Sequence, residues 1–181
     1  MRITRFIRDC SGAAAAEMVL VTPFLVVILF GTVELGNLML DEHSLEKQVR
    51  DGARYASRLT ISNAYSCPGT VFADPDAEAN IIKVTKDGVV SGTGSPRWTD
   101  YWDRKCASGD DTLTVSVRCV AKSDVDTGGT GNTGLYSSLP GTDIPVVTVA
   151  GEVQYRSVMS TLGWDSDICL HAESEAAVQG V

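Results

Sequence analysis

Between Glu17 and Glu34 the chain reads MVLVTPFLVVILFGTV, sixteen residues without a charge. Extended through Leu40, the stretch 17–40 makes about 36 Å of helix at roughly 1.5 Å per residue, long enough to cross a bilayer. Beyond it the pattern changes and the helical period persists. Leu38, Leu45, Val49, Ala53, Ala56 and Leu59 recur at spacings of three, four and seven, which is one apolar stripe on a helix. No proline interrupts DEHSLEKQVRDGARYASRLT, and Glu46 and Arg50 form a favourable i,i+4 pair. The expectation is a single rod from Ala13 to about Arg58, roughly 70 Å long. Its first half is apolar all round and its second half is amphipathic, suited to lie under a globular domain. Pro23 removes one helical hydrogen bond and is a candidate kink.

The remainder, 61–181, alternates short signals. Cys67-Pro68-Gly69 marks a turn. PDAEANIIKVTKDGVV predicts a second helix, with Asp74 or Asp76 as cap, Pro75 in the first turn and Gly88 as the stop. Its apolar side is Ala77, Ile81, Ile82 and Val84 or Val89. SGTGSPRWTDYWDRKCASGDD has the composition of a loop. Within it Trp98, Tyr101 and Trp102 suit either burial or an exposed adhesive tip. TLTVSVRCV places Leu113, Val115, Val117 and Cys119 on one strand face. IPVVTVAGEVQYRSV predicts a second strand, bent or bulged at Gly151. ICLHAESEAAV predicts a third, with Ile168, Leu170 and Ala172 together. An antiparallel sheet packed by one face on the rod's stripe gives an α+β fold.

Charge and cysteine then set the topology. The net charge is −8. Residues 1–12, with Arg2, Arg5 and Arg8 against Asp9, carry +2 of it, leaving −10 for the rest. A basic head before the apolar segment and Asp41 and Glu42 after it follow the positive-inside rule. The acidic body argues against nucleic acid as a partner. A cleaved secretory signal would need small residues after its apolar core, whereas Ala13 to Ala16 precede it. Cys10 lies before the membrane segment and Cys67, Cys106, Cys119 and Cys169 lie after it. On the extracytoplasmic side those four are disulfide candidates. Of the three pairings, Cys67–Cys106 with Cys119–Cys169 is the expected one, although Cys119 shares the apolar face while Cys169 sits with His171 and Glu173. A bend or loop conformation would be needed there.

Candidate chemistry is thin. Ser44-Leu45-Glu46-Lys47 matches S-x-x-K but lies on the predicted helix, and its customary partner motifs are missing. The G-x-G-x-x-G match at 129–134 has no βαβ context. Asp124, Asp126 and Asn132 lie in one loop, yet the calcium-loop pattern fails at Gly128 and Leu135. His43 and His171, the two histidines, fall on different elements. No enzyme, metal site or cofactor is expected.

The run SGAAAAEM, preceded by a basic leader and followed by an apolar helix, resembles a type IV-like prepilin. The longer stretch GAAAAEMVLVTPFLVVILFGTVELGNLML, with ARYAS beyond it, is similar to TadE-like proteins, minor pilins of the tight-adherence (Flp) pilus. The resemblance covers roughly residues 8–58. It departs at Met18, where that family often has an aromatic residue. It implies cleavage by a membrane-embedded prepilin peptidase between Gly12 and Ala13. That makes 1–12 a leader, 13–60 the long helix and 61–181 a periplasmic domain on a single-pass inner-membrane protein. Glu17 would become the fifth residue of the mature chain and meet the N-terminal amine of a neighbouring subunit, which offsets the cost of a carboxylate in lipid. Glu34, the second acid of the span, would either pair with a basic group on another pilin or platform protein, or mark the lipid boundary. The implied partners are major and minor pilins, the peptidase and the inner-membrane assembly platform. The implied role is pilus assembly supporting adhesion and biofilm formation. The alternative is an uncleaved signal anchor whose domain binds an envelope ligand.

Overall fold

A computed structural model describes residues 11–69, 71–91, 94, 100–107, 109, 112–125, 134–137, 141–163 and 167–180. The leader arginines, Cys10, Trp98, Asp126 and Asn132 lie outside the described residues.

One helix, α1 (Ser11–Ser57), runs through Pro23 without a break. Thr22 Oγ1 donates to the Met18 carbonyl at 2.6 Å, one turn back. From Met18 to Val33 the large apolar side chains are all exposed, between 41% and 73%. Burial then follows the stripe. Leu45, Val49, Ala53 and Ala56 are at 0–1% exposure, with Leu38 and Leu59 packed at the margins. Each buried branched side chain stabilises the domain by about 1.5–3 kcal/mol.

After a short helix α2 (Ile61–Ala64), β1 (Tyr65–Ser66) pairs antiparallel with β2 (Val71–Phe72). Helix α3 spans Pro75–Asp87. It starts and stops as its sequence dictates: Asp74 accepts the Asp76 amide at 2.9 Å, and Gly88 closes the end at φ 74°. The face it turns inward is Ala77, Ile81 and Thr85. Thr85 therefore takes the place expected for Val84, because 77, 81 and 85 keep a strict four-residue spacing. Its hydroxyl is satisfied by the Ile81 carbonyl at 2.8 Å, so burying it costs little. A short 3₁₀ turn, Tyr101–Asp103, brings Tyr101 and Trp102 into the core at 1% and 6% exposure. Trp102 Nε1 donates to Gln48 Oε1 on α1 at 3.0 Å. For these two rings burial is the outcome.

The main sheet is β3 (Leu113–Ala121), β4 (Asp143–Gln154) and β5 (Cys169–Ala177), antiparallel in the order β3-β4-β5. Short turns of helix, α4 (Lys122–Val125) and a 3₁₀ turn at Gly134–Tyr136, lie between β3 and β4. The α+β fold expected from the pattern is the one found. Leu113 and Val117, Val147, Val149 and Val153, and Leu170 and Ala172 are buried on the face toward α1. Ile168, expected with them, lies just before β5 and is 46% exposed.

Two expectations are corrected. Gly151 is not a bulge: it pairs with Leu113 on one side and Ala172 on the other in unbroken register. A Cβ there would stand 3.0 Å from Leu45 Cδ1 and 3.1 Å from Val49 Cγ2, so the glycine lets α1 approach the sheet. The disulfides are Cys67–Cys119 and Cys106–Cys169, not Cys67–Cys106 and Cys119–Cys169. Cys119 faces Pro145 and Cys169 faces Gln154, nine residues apart on β4. That is about 30 Å along the strand, far beyond disulfide reach. The end of β3 and the start of β5 lie at opposite ends because both strands run antiparallel to β4. One bridge thus closes each end of the sheet.

A second close contact joins α1 to α3. A Cβ on Gly52 would overlap Thr85 Oγ1 and lie 3.2 Å from Thr85 Cβ. Gly52→Ala is expected to destabilise the domain by about 1–3 kcal/mol, measured as a lowered midpoint in chemical unfolding. Adding Thr85→Ala, which removes the overlapping oxygen, should recover part of that loss.

Candidate functional site

Two regions carry the candidate residues. The first is the N-terminal end of α1. Gly12 is exposed, and a Cβ built on it meets nothing within 4 Å. Among the described residues, then, packing places no demand for glycine at this position. Glu17 is also exposed, the first acid in an apolar helix whose next charge is Glu34. Ala13 belongs to the same helix.

The second region is the junction where the domain first touches α1. Glu34 is half-buried, and its Oε2 accepts the Val158 amide at 3.1 Å. Its backbone carbonyl accepts the Tyr155 hydroxyl at 3.2 Å. Asn37, one turn on, donates through Nδ2 to the same hydroxyl at 3.0 Å. Tyr155 is 2% exposed, and burial holds its phenol above the ordinary tyrosine range. Val158 opens a 3₁₀ helix, Val158–Leu162, capped by Ser157, whose oxygen accepts the Met159 amide at 3.0 Å. Glu34 is thus tied to its own domain and lies at the start of the stripe.

Two turns along, Asp41 is 3% exposed. Its Oδ2 stands 4.0 Å from Arg104 Nη1, and its carbonyl accepts the Tyr101 hydroxyl at 3.2 Å. The Arg104 guanidinium lies over the Tyr101 ring at 4.8 Å. Asp41 Oδ1 has no hydrogen-bond partner among the described residues. Removing Arg104 would leave this buried carboxylate uncompensated.

Sequence reasoning missed this polar collar. A signal for it exists: Glu34, Asn37 and Asp41 recur at spacings of three and four, in phase with Leu38 and Leu45. Polar side chains inside an apolar stripe call for specific partners.

The remaining candidates do not converge. Ser44 is buried against Gln48, while Lys47 points to solvent on the same helix. His43 is an exposed neighbour of Glu46, and His171 pairs with Glu152 in the sheet. Cys106, Glu152 and Cys169 come within 4.8 Å of one another, but the two sulfurs form a disulfide and offer no thiolate to a metal. An open groove of about 530 Å³ between α1 and α3 has mixed charge, with Lys47 and Lys86 beside Asp51 and Asp87.

Tyr155→Phe is expected to cost about 1 kcal/mol at the junction. At one kcal/mol, tryptic cleavage after Arg156 should accelerate about fivefold. Unchanged cleavage would mean that the collar does not hold this segment.

No curated protein and no solved structure matches the chain. The helix is long and apolar enough to cross a membrane, the one such helix among the described residues. Residues 12–54 match the family model described as TadE-like protein, a range that begins at the candidate processing glycine and ends within the buried stripe. Over that segment, the chain is similar to TadE-like proteins.

Proposed function

We propose that the chain is a minor pilin or pseudopilin that takes part in assembling a tight-adherence (Flp-type) pilus. The observation that carries this reading is the agreement between the TadE-like match over 12–54 and the form of α1 there. That helix exposes an apolar first half and commits its second half to the domain. An apolar rod of this kind is stable in lipid or against similar rods. The free half suits both a membrane-held state and packing among other pilins.

In this reading the prepilin peptidase cuts between Gly12 and Ala13 and removes the basic leader. Gly12 serves recognition by the peptidase, and no described residue fills the space a side chain there would take. Glu17, exposed on the apolar helix, pairs with the new amine of a neighbouring subunit. The domain faces the periplasm, where its disulfides can form. The chain carries no catalysis of its own. Its partners are other pilins and the assembly platform in the inner membrane, and the pilus supports adhesion and biofilm formation.

Intact mass of the protein recovered from its own membranes tests the reading. The expected chain starts at Ala13. Replacing Gly12 by a bulky residue should leave the leader attached. Retention of Met1 or Arg2 in the unaltered protein would favour an uncleaved signal anchor instead.

A further inference from the structure

The two ends of the domain differ in what they expose. Strand β5 runs in the same direction as α1. Its distal end is fixed by the Gln179 amide donating to the Ser57 carbonyl at 2.8 Å. Its proximal end begins beside Tyr155, whose amide donates to the Ile168 carbonyl at 2.8 Å while its hydroxyl reaches Glu34. The lengths agree: from residue 168 to 179 a strand covers about 36 Å, and from 34 to 57 a helix covers about 35 Å. Ile168 and Val158 therefore stand level with Glu34, where the bare part of α1 ends. Gly12 to Val33 is about 33 Å of helix, the thickness of a hydrocarbon core with little to spare. With that bare length across a bilayer, in place of the 17–40 expected from sequence, the domain's lower end comes level with the bilayer surface.

That end has the chemistry for such a place. Val158 is 47% exposed and Ile168 46%. At the same height α1 exposes Leu35 and Met39. Arg156 is exposed two residues before Val158. Arg156 is a basic residue among acids at this end, with Asp167 exposed beside Ile168 and Glu34 held by the Val158 amide.

We propose that this end of the domain is a lipid-contact surface. Val158 and Ile168 insert into the interface of the leaflet on the domain's side, and Arg156 meets phospholipid phosphates. The contact rests on α1 being a membrane span. It fixes the angle of the domain on the membrane before any assembly with other chains.

Photo-crosslinking in vesicles tests it. The full oxidised chain carries benzoylphenylalanine in place of Val158, Ile168, Leu25 or Val71, one at a time. Val71 is 58% exposed near the distal Cys67–Cys119 bridge and serves as the dry control. Vesicles are phosphatidylethanolamine with phosphatidylglycerol, or phosphatidylcholine alone. Lipid adducts are expected at 25, 158 and 168 and at background level at 71. Without the anionic lipid the yield at 158 should fall roughly fivefold, the effect of about one basic residue at an anionic surface. Adducts at 25 but not at 158 or 168 overturn the proposal and leave the span intact. Loss of the adduct at 25 overturns the span itself and the proposal with it. Equal labelling at 71, or adducts of 158 and 168 to protein in native membranes, also overturns the lipid contact.

Discussion

Everything in this molecule depends on one helix whose two halves present different surfaces. Backbone hydrogen bonds within α1 are closed locally, so the helix itself is indifferent to whether lipid, water or protein surrounds it. The side chains decide. From Met18 to Val33 they carry no charge in any direction, and no described residue of the domain covers them. From Glu34 the surface becomes one-sided, and the domain starts at that residue. The change from all-round to striped hydrophobicity is thus also the boundary of the folded unit.

Above that boundary the domain is built by close approach. Gly52 admits Thr85, and Gly151 admits Leu45, Val49 and the Trp102 ring. Helix α1 is held between α3 and the sheet at spacings that a Cβ at either glycine would disturb. The two disulfides close the ends of this arrangement, Cys106–Cys169 near the collar and Cys67–Cys119 at the far end. Cross-links at both ends restrict the unfolded chain most where the sheet's edges would otherwise fray.

Much of this was legible from residue order. The stripe from Leu45 to Ala56, the capped helix after Asp74 and the alternation in all three strands are local patterns, and local patterns survive without knowledge of partners. The TadE-like segment was legible for the same reason, as a linear pattern. What remained hidden depends on register. Which cysteines meet follows from strand direction, and antiparallel order sends Cys119 and Cys169 to opposite ends. Gly151 looked like a bulge because a strand glycine has two physical uses, and only the position of α1 selects between them. The collar lay hidden because Tyr155 and Val158 are more than a hundred residues from Glu34.

Helix and sheet are also joined at both extremes of their overlap. Glu34 and Asn37 hold the near end, and the last strand returns to Ser57 and Thr60 at the far end. Because β5 lies along α1 in the same direction, traction on the N-terminal half of the helix strains this whole contact at once. It does not peel one pair after another. The geometry is that of a lap joint, whose strength grows with the overlap, so a chain tugged by its N-terminal helix resists as a unit.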